Sequence, residues 1–191
     1  MVDLVVDVRE RDLIDLLKKQ EFEHKVESLQ IGDVLFRKDG EIVFLIERKT
    51  LADLRASIHD KRLREQKARM LGSVRRNRVA YVIEGNYGKS TETNVKGAVI
   101  NIEIRDEIKC HKTCSLNETA EYIKMVHKKL CDDVKIYFST NNELKTVTSS
   151  EYSSVLKTEK KANMTPEVWF ITVLSTIPQV STKISTSIAE R

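Results

Sequence analysis

The sequence predicts an α/β protein in which helices flank a mixed β-sheet, followed by a small all-α tail. Three observations lead to this fold class. Short apolar runs typical of strands alternate with patterns of helical period over residues 4–138. Two of these runs are joined through an Asp-Gly pair, which is typical of a β-hairpin. A polar segment rich in Ser, Thr and Asn then separates this region from the tail.

The expected elements follow one another in a regular order along the chain. Up to the first strand after the hairpin they are a strand, a helix, two hairpin strands, a helical pattern broken near residues 59–60, and a strand: 4–8, 9–20, 33–37, 42–47, 51–76 and 79–83. Beyond these we expect a helix, a short extended piece near Ile108, a helix and a last strand: 95–105, 116–130 and 134–138.

The composition predicts three domains or segments. Residues 1–139 form the main α/β domain, and residues 140–165, which are polar with few apolar anchors, form a flexible linker. Residues 166–191 form the tail, in which Pro166 opens a helix that is followed by a turn at 176–180 and a final helix.

The hairpin register is well specified by its apolar residues. Alternation places Val34, Phe36, Ile42, Phe44 and Ile46 on one buried face, with 34 opposite 46 and 36 opposite 44 and a three-residue loop at 39–41. A shift by one residue would bury two carboxylates with the phenylalanines. The register is therefore an independent basis for locating polar groups on the other face.

On that other face the same register sets Asp33 against Glu47, with Lys49 projecting to the same side. Two facing carboxylates repel and favour a divalent cation or a shared proton. Mg²⁺ takes oxygen ligands and keeps several waters, so such a site stays open to a phosphate. A neighbouring lysine can orient or deprotonate a water that attacks the phosphorus. The alternative interpretation is a surface ion pair between Glu47 and Lys49.

Charge and composition are those of a globular protein with one basic segment. The 191 residues carry a net charge of +4, yet residues 60–78 alone hold eight lysines or arginines against two acidic residues. Such a segment suits a polyanion such as DNA, whose phosphates attract basic residues. The alternative interpretation is a solvated helix face. Seven of these eight basic residues are the candidate residues for contacts with DNA phosphates: Lys61, Arg62, Arg64, Lys67, Arg69, Arg75 and Arg76.

No apolar run approaches the ~20 residues that span a bilayer, and the N-terminus is strand-like rather than a signal peptide. We therefore expect a soluble intracellular protein without a membrane partner, with three reduced cysteines.

Several segments together resemble the XPF family of structure-specific DNA endonucleases. Residues 32–36 (GDVLF) and 46–54 (IERKTLADL) match its GDxxF/W…ERKxxxDL signature, and residues 7–10 (DVRE) match the acidic element before it. Residues 57–62 with Gln66, and residues 81–85 (YVIEG), match the segments that follow. The resemblance covers about residues 3–138 and continues more weakly at 166–191.

This resemblance implies a restriction-endonuclease-like nuclease domain that cuts branched DNA such as flaps, forks or junctions in repair or recombination, with Mg²⁺ or Mn²⁺. Asp33, Glu47 and the Arg48 main-chain carbonyl would bind the metal. Lys49 would orient or deprotonate the attacking water. Asp7 and Glu10 would support a metal or position basic groups. The remaining catalytic positions of the motif are Arg48 and Asp53. Strand alternation points the Arg48 side chain away from the carboxylate pair, so its role rests on the resemblance alone.

The resemblance also implies a homodimer or a heterodimer with a related subunit, with an interface around residues 95–130. The tail resembles one helix-hairpin-helix motif, whose residues for backbone phosphate would be Pro178, Gln179, Ser181 and Lys183. The family has a glycine where Gln179 stands, and it carries two such motifs in tandem. We interpret the tail as a single motif, truncated or degenerate, and a purely structural or dimerising helix pair is the alternative.

Two other functions are consistent with parts of the sequence. One is a non-catalytic DNA-binding subunit of a nuclease heterodimer, although every acidic and basic residue of the signature is retained. The other is a structural zinc site built from Cys110, His111, Cys114, His127 and Cys131.

Overall fold

The structure is a computed structural model that describes residues 1–88, 91–138 and 166–189. The chain divides into two units, Met1–Thr140 and Asn141–Arg191. Each is described by itself. The predicted linker at 140–165 lies outside the described residues.

The first unit is built on a six-stranded mixed sheet with the order β2-β1-β3-β4-β5-β6. The strands are β1 (Asp3–Asp7), β2 (Lys25–Glu27), β3 (Val34–Lys38), β4 (Glu41–Thr50), β5 (Val79–Glu84) and β6 (Lys109–Thr113). β3 is antiparallel to both β1 and β4, whereas β4, β5 and β6 run parallel. The predicted mixed sheet is therefore confirmed. The short edge strand β2 was not predicted, since three residues are too few to show a period.

Helices cover both faces of this sheet. They are α1 (Arg11–Lys19), α2 (Leu51–His59), α3 (Arg62–Ser73), α4 (Thr93–Ile100) and α5 (Leu116–Phe138). The expected break after α2 is confirmed at Lys61, whose φ of 60° is left-handed. α4 continues into a π-helical turn, Asn101–Arg105.

Two apolar cores result, one on each face of the sheet. On one face Phe44 and Ile46 of β4 pack with α1 and α5. On the other, Leu45 packs with α3 and α4 through Met70 and Val99. Because both faces are covered, strands such as β5 are buried almost throughout, as is usual for parallel strands.

The hairpin register predicted from alternation is confirmed, with Val34 paired to Ile46 and Phe36 to Phe44. The predicted three-residue loop is wrong. The turn has two residues, Asp39 and Gly40, both with positive φ (53° and 83°), which is the type I′ geometry that matches the twist of the strands. A bulge between Phe36 and Arg37 takes up the additional residue. As a result Ile42 packs into the α3 core rather than beside Phe36.

The predicted last strand at 134–138 is also wrong. These residues continue α5 after a kink at Asp133, where φ is −161° and ψ is 101°. Val134 packs against the α1–α5 core, and β6 forms the edge of the sheet instead. An apolar run of five residues does not distinguish a strand from a helix that packs on a sheet.

The second unit is a helix pair, α6 (Pro166–Leu174) and α7 (Thr182–Ala189). The side chains of Ser175 and Ser185 share a hydrogen bond of 3.0 Å, and Ser185 is fully buried. No helix among the described residues is long and apolar enough to cross a membrane.

Gln179 occupies the position where the resemblance predicts a glycine, and its φ is 71°. A non-glycine residue in this region is strained by its β-carbon. Gln179→Gly is therefore expected to raise the stability of the second unit by up to about 1 kcal/mol, measured by urea unfolding of the full chain. Gln179→Ala keeps the β-carbon and serves as the control. Equal midpoints for the two variants would contradict the strain at this position.

Candidate active site

The carboxylates predicted from the hairpin register lie in one small cleft of the first unit, of about 80 Å³. Asp33 and Glu47 both line it, and the N–H of Asp33 donates to the Ile46 carbonyl over 2.9 Å, which ties the end of the hairpin together. The cleft is lined by Arg9, Gln30, Ile31, Gly32, Asp33, Glu47, Gln66, Arg69 and Met70. It lies on the α3 side of the sheet.

Lys49 projects to the same side as Glu47, as alternation predicts. Its Nζ donates to Glu47 Oε1 over 3.1 Å and to Gln66 Oε1, on α3, over 2.9 Å. Glu47 and Lys49 are only 7% and 5% exposed. A buried ammonium is thus held next to the carboxylate pair by two acceptors.

The ionisation of Asp33 is strongly disturbed. Burial and the neighbouring Glu47 carboxylate raise its pKa well above the ordinary value, although the Arg48 N–H donates to Asp33 Oδ2 over 2.8 Å. Two carboxylates that share a partly buried site carry more negative charge than the groups around them neutralise. Hard oxygen donors in this state suit a divalent cation.

Asp7 and Arg9 form the next part of the site. The carboxylate of Asp7 is fully buried and accepts from the Arg9 N–H (2.8 Å), Arg9 Nε (2.6 Å) and the Leu29 N–H (2.8 Å). Burial acts to raise the pKa of Asp7, but these hydrogen bonds outweigh it and the pKa is lowered. Of the two roles expected for Asp7, positioning a basic group fits this geometry, because its carboxylate holds an arginine that lines the cleft.

The Arg48 side chain points away from the cleft, as alternation predicts, towards α5. Its Nη1 donates to Glu10 over 2.9 Å, and its Nε and Nη2 donate to the two oxygens of Glu84 over 2.9 and 2.6 Å. Thr119 of α5 also donates to Glu84 over 2.8 Å. Glu10 therefore binds Arg48 and does not line the cleft.

Asp53 lies at the start of α2 and is exposed. Its N–H donates to Thr50 Oγ1 over 3.1 Å, and the Thr50 hydroxyl donates to Asp53 Oδ2 over 2.6 Å. This is a helix cap, worth about 1 kcal/mol in typical helices. The structure does not bring Asp53 into the cleft.

The basic residues predicted to contact DNA do not lie on one surface of the first unit. Arg69 lines the cleft, whereas Lys61, Arg64 and Lys67 line a larger groove against α4. Lys67 is paired there with Asp106. Three more are at the surface: Arg62, paired with Asp60, Arg75, and Arg76, which reaches Glu107 at 3.5 Å.

The tail residues predicted to bind phosphate lie in the second unit, at the turn and the start of α7. Ser181 Oγ accepts from the Ile184 N–H over 3.4 Å, and Lys183 is exposed. Pro178 and Gln179 form the turn before them.

The zinc site is contradicted by the described residues, which include all five of its candidate ligands. Among them, no three or more His, Cys, Asp or Glu side chains are grouped to hold a metal ion. His111 stacks on Tyr122, and burial raises the pKa of the Cys110 thiol to about 12. Cys131 Sγ is 3.6 Å from His127 Nε2, which itself lies 2.8 Å from the Val2 carbonyl oxygen.

Four residues of these networks were not predicted as site residues: Arg9, Gln66, Glu84 and Thr119. The first three lie within the segments that carry the family resemblance, so a signal was present. Thr119 lies on α5, far along the chain, and nothing in the local sequence indicates its contact with Glu84.

Comparison with known proteins identifies the family of this chain. The family model described as the ERCC4 domain matches residues 6–126. The chain is 27% identical over 195 aligned residues to the crossover junction endonuclease MUS81 of Arabidopsis thaliana, covering 95% of this chain and 29% of that protein. It is 32% identical over 154 residues to the crossover junction endonuclease mus-81 of Neurospora crassa, covering 65% and 24%. The chain thus spans less than a third of the length of these relatives.

Two solved structures have the same fold. XPF from Aeropyrum pernix in complex with DNA aligns with a TM-score of 0.56 and 20% identity, covering all of this chain and 97% of that one. A second structure, of XPF from Aeropyrum pernix, aligns with a TM-score of 0.57 and 22% identity, covering 98% of this chain and 80% of that one. Together with the family match over most of the first unit, these findings show that the chain belongs to the XPF/ERCC4 family.

Proposed function

We propose that this chain is a metal-dependent endonuclease that hydrolyses phosphodiester bonds in branched DNA, in repair or recombination. The observation that carries the proposal is the shared cleft of Asp33 and Glu47, with Lys49 held beside them. Relatives named crossover junction endonuclease, and a solved relative bound to DNA, support the substrate class.

The residues of the cleft fit a hard divalent cation, Mg²⁺ or Mn²⁺. The raised pKa of Asp33 reports that its negative charge is poorly compensated beside Glu47. These two carboxylates, with the main-chain carbonyl of Arg48, would hold the ion. When bound, it supplies Lewis-acid polarisation of the phosphate and a lower pKa for a coordinated water.

Side chains around the cleft would transfer a proton and bind the phosphate. Lys49 is fixed by Glu47 and Gln66, so its ammonium can hold or transfer a proton at the attacking water. Arg9 is oriented by the buried Asp7 and, with Arg69, lines the cleft where a phosphate would enter. A planar guanidinium held in this way is suited to bidentate binding of phosphate.

We further propose that the protein acts as a dimer with itself or with a related subunit. The mammalian relatives are named structure-specific endonuclease subunits. Exposed apolar side chains at Ile100, Ile104 and Met125 support the predicted interface within residues 95–130. With such a substrate, we expect the protein to act inside the cell, and in the nucleus in a eukaryote.

The test is a cleavage panel of flap, fork, splayed-arm and unbranched duplex DNA, with Mg²⁺, with Mn²⁺ or with a chelator. We expect the branched substrates to be cut in the presence of metal and left intact with the chelator, and the plain duplex to be cut far more slowly. The molecular mass in solution is measured alongside. Tight binding of branched DNA without cutting under any condition would favour the non-catalytic DNA-binding subunit instead.

A further inference from the structure

A half-buried polar cluster lies behind the catalytic hairpin, on the face of the sheet opposite the cleft. Its centre is Glu84, at the end of β5, whose two oxygens accept three hydrogen bonds. Two come from the guanidinium of Arg48, at 2.9 and 2.6 Å, and one comes from the hydroxyl of Thr119, at 2.8 Å. The side chains of Arg48 and Glu84 are 15% and 12% exposed, and Thr119 is fully buried.

Arg48 and Glu84 form a bidentate ion pair that spans neighbouring strands diagonally. In the β4–β5 register Thr50 is opposite Glu84, so Arg48 reaches forward by two residues along β5. A guanidinium bound through two nitrogens to two oxygens has its orientation fixed as well as its position. Thr119 holds the carboxylate from α5, and the Thr113 hydroxyl in turn lies 2.7 Å from Thr119.

The main chain of Arg48 connects this cluster with the cleft. Its N–H donates to Asp33 Oδ2 over 2.8 Å, and its neighbours along the strand are Glu47 and Lys49. The side chain of Arg48 is thus fixed on one face of the sheet, while its amide orients a carboxylate at the other. Displacement of the guanidinium would move the peptide that holds Asp33.

We propose that Glu84, supported by Thr119, is a positioning residue for the metal site, acting through Arg48 on the orientation of Asp33 and Glu47. This inference rests on the proposed function. It adds to that function two residues that lie outside the cleft, on β5 and α5.

Direct binding of Mn²⁺ to the full chain, measured by titration calorimetry without DNA, tests the inference. Glu84→Gln keeps the shape and removes the charge, and we expect its Mn²⁺ affinity to fall by about 10–100-fold, as for other groups that orient metal ligands. Thr119→Val should lower the affinity in the same direction by a smaller factor. An Arg48→Lys background lacks the bidentate contact with Glu84. In that background Glu84→Gln should change the Mn²⁺ affinity by less than about twofold, because both substitutions remove the same interaction.

Asp106→Asn is the matched control, since Lys67 and Asp106 form an ion pair that is 13% and 15% exposed and does not line the cleft. It should leave the Mn²⁺ affinity unchanged. If wild type binds Mn²⁺ and both Glu84→Gln and Thr119→Val bind it equally well, the inference is overturned while the nuclease proposal stands. If Glu84→Gln does not fold, Thr119→Val and the control decide the outcome. A wild type that cuts DNA with Mn²⁺ but does not bind Mn²⁺ alone would overturn this inference only. A wild type that neither binds Mn²⁺ nor cuts would overturn both proposals.

Discussion

Asp33→Asn is expected to reduce the rate of DNA cleavage by about a thousandfold, and to make the metal-free protein more stable. A ligand that helps a cation stabilise the transition state is worth several kcal/mol, and about 4 kcal/mol corresponds to this factor. Asparagine keeps the shape and an acceptor for the Arg48 N–H, but it removes the charge that Glu47 repels. Single-turnover cleavage of a flap substrate measures the first effect, and thermal unfolding in chelator measures the second.

The stability part of this prediction has a definite pH dependence. Because the pKa of Asp33 is raised on folding, the metal-free wild type binds more protons folded than unfolded above the ordinary value of about 3.9. Its stability should therefore fall as the pH rises from that value through the folded pKa, and level off beyond it. Asp33→Asn should lack this part of the fall. Its melting temperature should be higher at neutral pH, by about 2–4 °C for each kcal/mol of repulsion removed. A variant that cuts at the wild-type rate would exclude Asp33 from the site.

Lys49→Ala is the second large effect, an expected loss of about 10²–10⁴-fold in cleavage rate, the range typical of a residue that transfers a proton. In contrast to the first variant, it should destabilise the protein. The substitution leaves the buried Glu47 carboxylate without its lysine partner. Removing one partner of a buried ion pair lowers the free energy of unfolding by about 3–5 kcal/mol. Added Mg²⁺ should restore part of that stability by neutralising Glu47.

Two further measurements separate the chemistry of Lys49 from its part in the fold. Methylammonium ions should restore some cleavage to Lys49→Ala at a temperature where circular dichroism shows it folded, because the small cation can occupy the space of the missing ammonium. Lys25→Ala is the control, since Lys25 is also ion-paired, with Asp3, but lies at the far edge of the sheet. It should cut at the wild-type rate. A folded Lys49→Ala that cuts normally would show that the lysine is only half of an ion pair.

The hairpin shows how much of the site was predictable from the sequence. Alternation fixed which residues of β3 and β4 are opposite, because a shift by one residue would have buried the carboxylates with the phenylalanines. It also gave the opposite directions of Lys49 and Arg48, since side chains of a strand alternate between its faces. These are local consequences of backbone geometry, and they required no knowledge of the rest of the fold.

What the sequence did not predict depends on contacts between distant segments. The partner of Arg48 is on β5, and the residue that holds this partner is on α5. Likewise, the pairing of Lys67 with Asp106 depends on how α3 packs against the π-helical turn. A short apolar run such as 134–138 has too few residues to fix its period, so its helical structure depends on the packing surface it meets.

The turn at Asp39 and Gly40 has a consequence for how the protein folds. It makes the β3–β4 pair the most local pairing in the sheet, whereas the parallel strands β5 and β6 can join only after long stretches of chain have been ordered. Local pairings close at a low entropic cost and tend to form early, while distant parallel pairings form late. The hairpin has Asp33 just before β3 and Glu47 on β4, so we expect the backbone that carries both residues to reach its native pairing early. The network around Arg48 is completed only when β5 and α5 dock, so we expect the orientation of the carboxylates to be among the last features of the fold to form.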